Sequence, residues 1–263
     1  WQNVVNDTKE GSADLCEQLR LVLEATVAAK MRGDFRTGKR INIRKIIPFI
    51  ASGFRKDKIW MRRVQPDQRN YQILLGIDNS ESMKLNAGEL ALQSVCLITQ
   101  ALTLLGIGDL SVVKFGENTE IVHPFGEQWN DDSGAMLMES FHFDDKKTEV
   151  DELLEGSITY LESSKKSNSM QIAFIISDGY FSNKSKVREL VIQAQLRNIL
   201  IVFVIIDRQN ESRTSIIDLK SFVTINGKNV IVKYLDDFPF PYYVLIHDPK
   251  SLPTHLADVL RQW

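Results

Sequence analysis

The chain has 263 residues, 43% of them apolar and 25% charged, with a formal net charge of -2. This is ordinary globular composition with length enough for a large core, which excludes the disordered and collagen-like classes. No apolar run reaches the ~18 residues of a membrane span, and the opening "WQNVVNDTKEGSADL" lacks the basic-then-apolar order of a signal peptide, so the chain start reads as an arbitrary boundary.

The first expected element is a helix, because "ADLCEQLRLVLEATVAAKM" sets Leu15, Leu19, Val22, Leu23, Thr26 and Val27 at helical spacing. Cys16 and Cys96 both fall in amphipathic stretches, where a thiol behaves as a small core residue, and this favours a reducing compartment. Residues 30 to 63 carry twelve Lys/Arg against Asp34 and Asp57, a net of +10 that leaves -12 for the remainder. Two readings stand: the basic segment packs along the acidic remainder, which is preferred, or it meets an anionic partner such as RNA or another protein. Its apolar pieces are short, and Pro48 and Pro66 discourage long regular elements, so it reads as an extended arm. Within it, "GDFRTGKR" puts Gly33, Gly38 and Lys39 at the spacing of a phosphate-binding loop. Arg40 stands where Ser/Thr is needed and no strand precedes it, so a structural turn is expected.

From Tyr71 the texture changes to apolar runs separated by helical periods. "YQILLGI" is a buried strand and "AGELALQSVCLITQALTLLG" a helix ending near Gly106. "DLSVVKFG" and "TEIVHPF" are strands around the turn 116–118, and "TEVDELLEGSITYLES" is a helix that Thr148 would cap. "MQIAFIIS" is a second fully apolar strand, followed by the helix "NKSKVRELVIQAQLRN", the strand "ILIVFVII" and a helix beginning near Arg213. Strands alternating with helices imply right-handed crossovers and a mostly parallel, doubly wound α/β sheet. "FVTINGKNVIVKYL" breaks the rhythm with two alternating runs around Asn226-Gly227, a hairpin insertion. "YYVLIHD" supplies the last strand and "SLPTHLADVLRQW" the closing helix, with Pro253 in its first turn.

In such a sheet ligands bind beyond the carboxyl ends of the strands, and two strands end in Asp. Asp78 opens Asp-x-Ser-x-Ser with Ser80 and Ser82, Asp178 sits in "ISDGY", and Thr148 begins the helix between them. Two carboxylates and three hydroxyls form the all-oxygen set that Mg2+ demands, with positions left for water or ligand. Taken singly, each feature has a plainer explanation as a helix cap or a turn. Their coincidence at strand ends of one sheet favours metal. An EF-hand starting at Asp78 fails because Met83 stands where Gly is required, and Ser80 lacks the flanking glycines of a nucleophile elbow. Among His123, His142, His247 and His255, only His247 ends a strand, and a polar strand-end residue is the preferred reading of it. No catalytic residue is expected, although a metal-dependent hydrolase using Asp78 or Asp178, or an RNA-contacting basic arm, remain the alternatives.

Asp78-x-Ser80-x-Ser82, Thr148 and the "SDG" at Asp178, in this order, resemble the metal-ion-dependent adhesion site (MIDAS) of von Willebrand factor A domains, over residues 70 to 263. "RGDFRTGKRINIRKIIPFIAS", "FRKDKIWMRR", "FPFPYY" and "LADVLRQW" extend the resemblance over most of the chain, to the giant AAA+ ATPases of large-ribosomal-subunit assembly, whose C-terminal end carries such a domain. The resemblance implies a Rossmann-like A domain at 70–263, preceded by an N-terminal helix and basic arm at 1–69 that pack on it. The hairpin departs from the simplest members of the wider family, so its role is not inherited. Also implied are Mg2+, with Mn2+ or Ca2+ as substitutes, direct ligation by Ser80, Ser82 and Thr148, and water-mediated roles for Asp78 and Asp178. Lys147, Tyr180 and Phe181 would form the rim, an assignment from loop position. The implied partner is a ubiquitin-like domain on a WD-repeat ribosome assembly factor, whose Glu or Asp completes the coordination. The parent AAA+ ring, outside this chain, would then remodel or release that factor from pre-60S particles in the nucleolus and nucleoplasm. Further implied partners are the ring itself and the pre-ribosome, with no membrane.

Overall fold

The computed structural model describes residues 1–23, 31–63, 70–84, 86–106, 108–166, 169–181, 183–207, 215–225 and 228–262. The chain divides into two compact units, one of Trp1–Leu23 with Arg69–Trp263 and one of Glu24–Gln68.

Helix α1 (Gln2–Leu23) buries Leu15, Cys16 and Leu19, as their spacing predicts, but it begins earlier than expected, Thr26 and Val27 lie outside the described residues, and Met31 belongs to a strand. The basic unit then holds more regular structure than an extended arm. Strands β1 (Met31–Phe35), β2 (Arg40–Ile41) and β3 (Trp60–Arg63) form an antiparallel sheet in the order β1-β3-β2, with helix α2 (Ile46–Ala51) between β2 and β3. Pro48 is tolerated because it falls in the first turn of α2, where its missing N–H has no intrahelical partner to lose. Pro66 lies outside the described residues. The "GDFRTGKR" segment runs from β1 into β2 as a structural turn, and a Cβ on Gly38 would collide with the Met61 carbonyl. Asp34 and Asp57 of this unit are paired internally, Arg36 with Asp57 at 3.2 Å and Lys45 with Asp34.

The larger unit is built on β4 (Asn70–Asp78), α3 (Asn86–Leu105), β5 (Asp109–Phe115), β6 (Glu120–His123), α4 (Asp131–Ser140), α5 (Val150–Ser163), β7 (Ser169–Ser177), α6 (Lys184–Leu196) and β8 (Ile199–Ile206). The hairpin β9 (Lys220–Ile225) and β10 (Lys228–Lys233), then β11 (Tyr243–Ile246) and α7 (Leu252–Gln262), complete it. The central sheet runs β11-β8-β7-β4-β5-β6, parallel except for β6. Strands β4, β7 and β8 are buried on both faces, which explains their unbroken apolar runs. One face carries Ile73, Leu75 and Ile77 into a core shared with α1, α3 and α7; the other carries Leu74, Ala173 and Ile175 against α5 and α6. Helix α3 is long and apolar enough to match a membrane span, yet two-thirds of that stretch is buried in this core.

Two further details differ from the sequence reading, and the hairpin agrees with it. Helix α4 was not expected: its length is short and Gly134 interrupts it, but Asn130 caps it by accepting the Ser133 N–H at 2.8 Å. Arg213, where a helix was expected, lies outside the described residues, and after it residues 216–218 make only a turn leading to β9. Strands β9 and β10 pair with Ile225 opposite Lys228, as a hairpin requires, while Asn226-Gly227 lie outside the described residues.

Candidate metal centre

The chain leaves β4 in one direction to form β5 and returns on the other side to form β7, so the carboxyl ends of β4 and β7 flank the switch point at which open sheets of this kind take up ligands. Asp78 ends β4 and is fully buried there. Its Oδ1 accepts the Ser80 N–H at 2.8 Å and its Oδ2 accepts the Ser177 hydroxyl at 2.6 Å. Burial nonetheless pushes its pKa up to about 6; the bonds from Ser177 and Ser80 offset only part of that cost, and the charge of Asp178 adds a little. No cation among the described residues offsets it. A buried carboxylate in this state is short of positive charge.

The hydroxyls of Ser80 and Ser82 stand 2.9 Å apart beside it. Ser80 occupies the N-cap of the short turn Glu81–Met83 but its side chain makes no capping bond, and α3 begins only at Asn86, so the helix-cap reading of these residues fails. Asp178, also buried, follows β7, and its Oδ1 accepts the Tyr180 N–H at 3.2 Å. Gly179 takes φ +81°, a left-handed turn that glycine permits. Thr148 is half-buried and lies one residue further from α5 than expected. Glu149 holds the N-cap position, and the Thr148 hydroxyl forms no hydrogen bond among the described residues. The loop bearing Thr148 is stitched to the Asp78 loop: Asn79 Oδ1 accepts the N–H groups of His142 and Phe143 at 3.1 and 2.9 Å, and Glu81 N–H donates to Asp145 O at 2.7 Å. Gly116 lets this loop close, since a Cβ there would strike the Asp145 carboxylate.

The structure thus brings together Asp78, Ser80, Ser82 and Asp178, with the Thr148 loop bolted alongside. Of the rim residues, Lys147 is exposed and lies 3.9 Å from Glu149. Tyr180 is half-buried near Tyr234, and Phe181 turns into an aromatic cluster with Phe203, Phe238 and Phe240. His247 sits at a strand end with its Nδ1 against the Asp207 carbonyl at 3.1 Å. Asn79, Ser177 and Asp145 were missed by sequence reasoning, although all three lie within or beside its motifs. Asp207, a third strand-end acid, was also missed.

Among the described residues no three His, Cys, Asp or Glu side chains converge. A soft transition-metal site is therefore a poor match, whereas a hard cation that accepts hydroxyl and carboxylate oxygens fits this set.

No protein-family model matches the chain. Midasin of Dictyostelium discoideum is 40% identical over 269 residues, covering 100% of this chain and 4% of that protein. Midasin of Giardia intestinalis is 39% identical over 270 residues, covering 99% and 6%. The chain thus spans only a small part of these curated relatives. Among solved structures, proximal thread matrix protein 1 from the mussel byssus, with a zinc-occupied MIDAS motif, superposes with a TM-score of 0.52 at 14% identity, covering 73% of this chain and 47% of that one. An aerotolerance-related membrane protein from Bacteroides fragilis does so with 0.52 at 9% identity, covering 74% and 100%. At such identities these structures speak for the fold alone. Aligned over its whole length at about 40% identity, and folded around a doubly wound sheet of von Willebrand factor A type, the chain is homologous to a short segment of the midasins.

Proposed function

We propose that this segment is a divalent-cation-dependent protein-binding module that takes up a carboxylate from a folded partner. The observation that carries the reading is the buried, cation-deficient Asp78 carboxylate beside the paired hydroxyls of Ser80 and Ser82. Ser80, Ser82 and Thr148 would touch the ion, and Asp78 and Asp178 would orient its waters. Mg2+ held there supplies an electrophilic seat for one carboxylate oxygen. Neutral hydroxyls in the direct positions leave most of the ion's charge for the partner's Glu or Asp, which anionic ligands would blunt. Lys147 and Tyr180 would meet the partner's flanks. The mussel protein's zinc-occupied MIDAS motif supports a divalent ion at such a site.

The partner we propose is the ubiquitin-like domain of a WD-repeat ribosome assembly factor, gripped in the nucleus so that an AAA+ motor elsewhere in the parent protein can remodel pre-60S particles. Kinship with midasin supports this choice. The Ser80 hydroxyl meets Ser82, not a histidine, which favours binding over hydrolysis. Calorimetry of the chain with such a domain tests the reading: binding should need Mg2+ and vanish with EDTA, and binding that survives chelation would reject it.

A further inference from the structure

The hairpin β9–β10 has no part in the central sheet, yet the residue that follows it, Tyr234, bonds to the loop after β7. Tyr234 follows β10 at the start of a short 3-10 turn, Tyr234–Asp237, and its N–H donates to Leu219 O at 2.8 Å, closing the foot of the hairpin. Its buried hydroxyl donates to Gly179 O at 2.9 Å. One side chain therefore grips the loop just ahead of Tyr180 and packs beside that residue's ring.

That loop is the one that carries Asp178. Gly179 N–H in turn reaches the Ser177 hydroxyl at 3.4 Å, and Ser177 donates to Asp78. A continuous line of bonds thus joins the hairpin foot to both strand-end acids. Tyr234 is itself held firmly: the Lys184 ammonium lies 3.5 Å from its ring centroid, and the Tyr180 ring packs at 6.1 Å. Gly179 is closely packed, since a Cβ placed on it would lie 2.9 Å from Ile216. Nothing about packing the aromatic cluster requires the phenol oxygen to sit on this loop, because a phenylalanine would fill the same space.

We propose that Tyr234 is a positioning residue for the metal loop, fixing Asp178 and Ser177 through the backbone of Gly179 and making the hairpin foot and the cation site one mechanical unit. The proposal rests on the reading of this end of the sheet as a cation site. It accounts for the hairpin insertion as a support of that site.

Mn2+ titrated by calorimetry into the whole 263-residue protein tests it. No uptake by the wild type would reject the cation site itself. Given wild-type uptake, Tyr234→Phe should raise the Mn2+ Kd about three- to tenfold, the cost of one hydrogen bond. A Kd within twofold of wild type overturns the positioning role and leaves the site standing. Leu235→Ala, which strips packing from the same turn but keeps the phenol, should lower the melting temperature and leave the Kd unchanged. An equal loss of affinity would mean general loosening and would also overturn it. Hydrogen exchange on the wild type serves if the variants fold poorly: Mg2+ should protect the amides of Gly179 and Tyr234 together with residues 78–82, and protection of 78–82 alone overturns the proposal.

Discussion

Asp78 and Asp207 occupy equivalent places, each buried at the carboxyl end of a parallel strand, but their surroundings set them apart. Asp207 is consumed by its own loop: Oδ2 accepts the Ser215 hydroxyl, Oδ1 accepts the Ile216 N–H at 3.2 Å, and its carbonyl meets His247. Asp78 accepts two bonds as well, yet it stands beside a second acid and two mutually bonded hydroxyls. Position at a strand end therefore does not distinguish a structural acid from a binding one. What the neighbours still have to offer does.

Exchanging the two acids' fates is the strongest way to break this contrast. Asp78→Ala should weaken cation-dependent partner binding by about 10- to 100-fold while the protein remains folded, read by calorimetry beside circular dichroism. Asp207→Ala should do the reverse, costing about 2–4 kcal/mol in denaturant melts by leaving buried donors unpaired, with Mn2+ affinity retained. If Asp207→Ala abolishes Mn2+ uptake in folded protein, the two acids belong to one site. A smaller effect is expected at Asn79→Ala, which frees the His142 and Phe143 amides: about 1–2 kcal/mol of stability and a modest loss of affinity as the Thr148 loop loosens.

The subtlest prediction concerns protons. In the metal-free protein the folded pKa of Asp78, about 6, lies above its ordinary 3.8. Its carboxyl therefore favours the fold below pH 3.8, and that contribution fades as pH rises through 6. Cation affinity should run the other way, steady above pH 6 and falling up to tenfold per unit below it as a proton must be displaced. Mn2+ titrations from pH 5 to 8 read this directly, and a flat profile would detach Asp78 from the site.

Much of the fold was legible because the information was local. The runs in β4, β7 and β8 are apolar without alternation since both faces are covered, and Asp78 and Asp178 stand out as the polar residues that end two of them. The missing pieces depended on contacts distant in sequence. Ser177 meets Asp78 across 99 positions, and Asn79 holds His142 and Phe143 across 63 and 64. The basic unit was read as extended because its strands are short and its stabilising pairs, such as Arg62 over Phe35 at 5.3 Å, follow no period. Thr148 was offset by one residue, as helix boundaries often are, because a threonine is the better cap by propensity while Glu149 holds the position here.

Helix α1 packs on α3 and on α7, and Arg261 reaches Gln18 at 2.7 Å across 243 positions. The apolar flank of α1 thus waits for a helix far downstream in the sequence before it is covered. Until α7 arrives, that flank is open to chaperones or to wrong neighbours, and a chain cut short before residue 252 would leave it permanently bare.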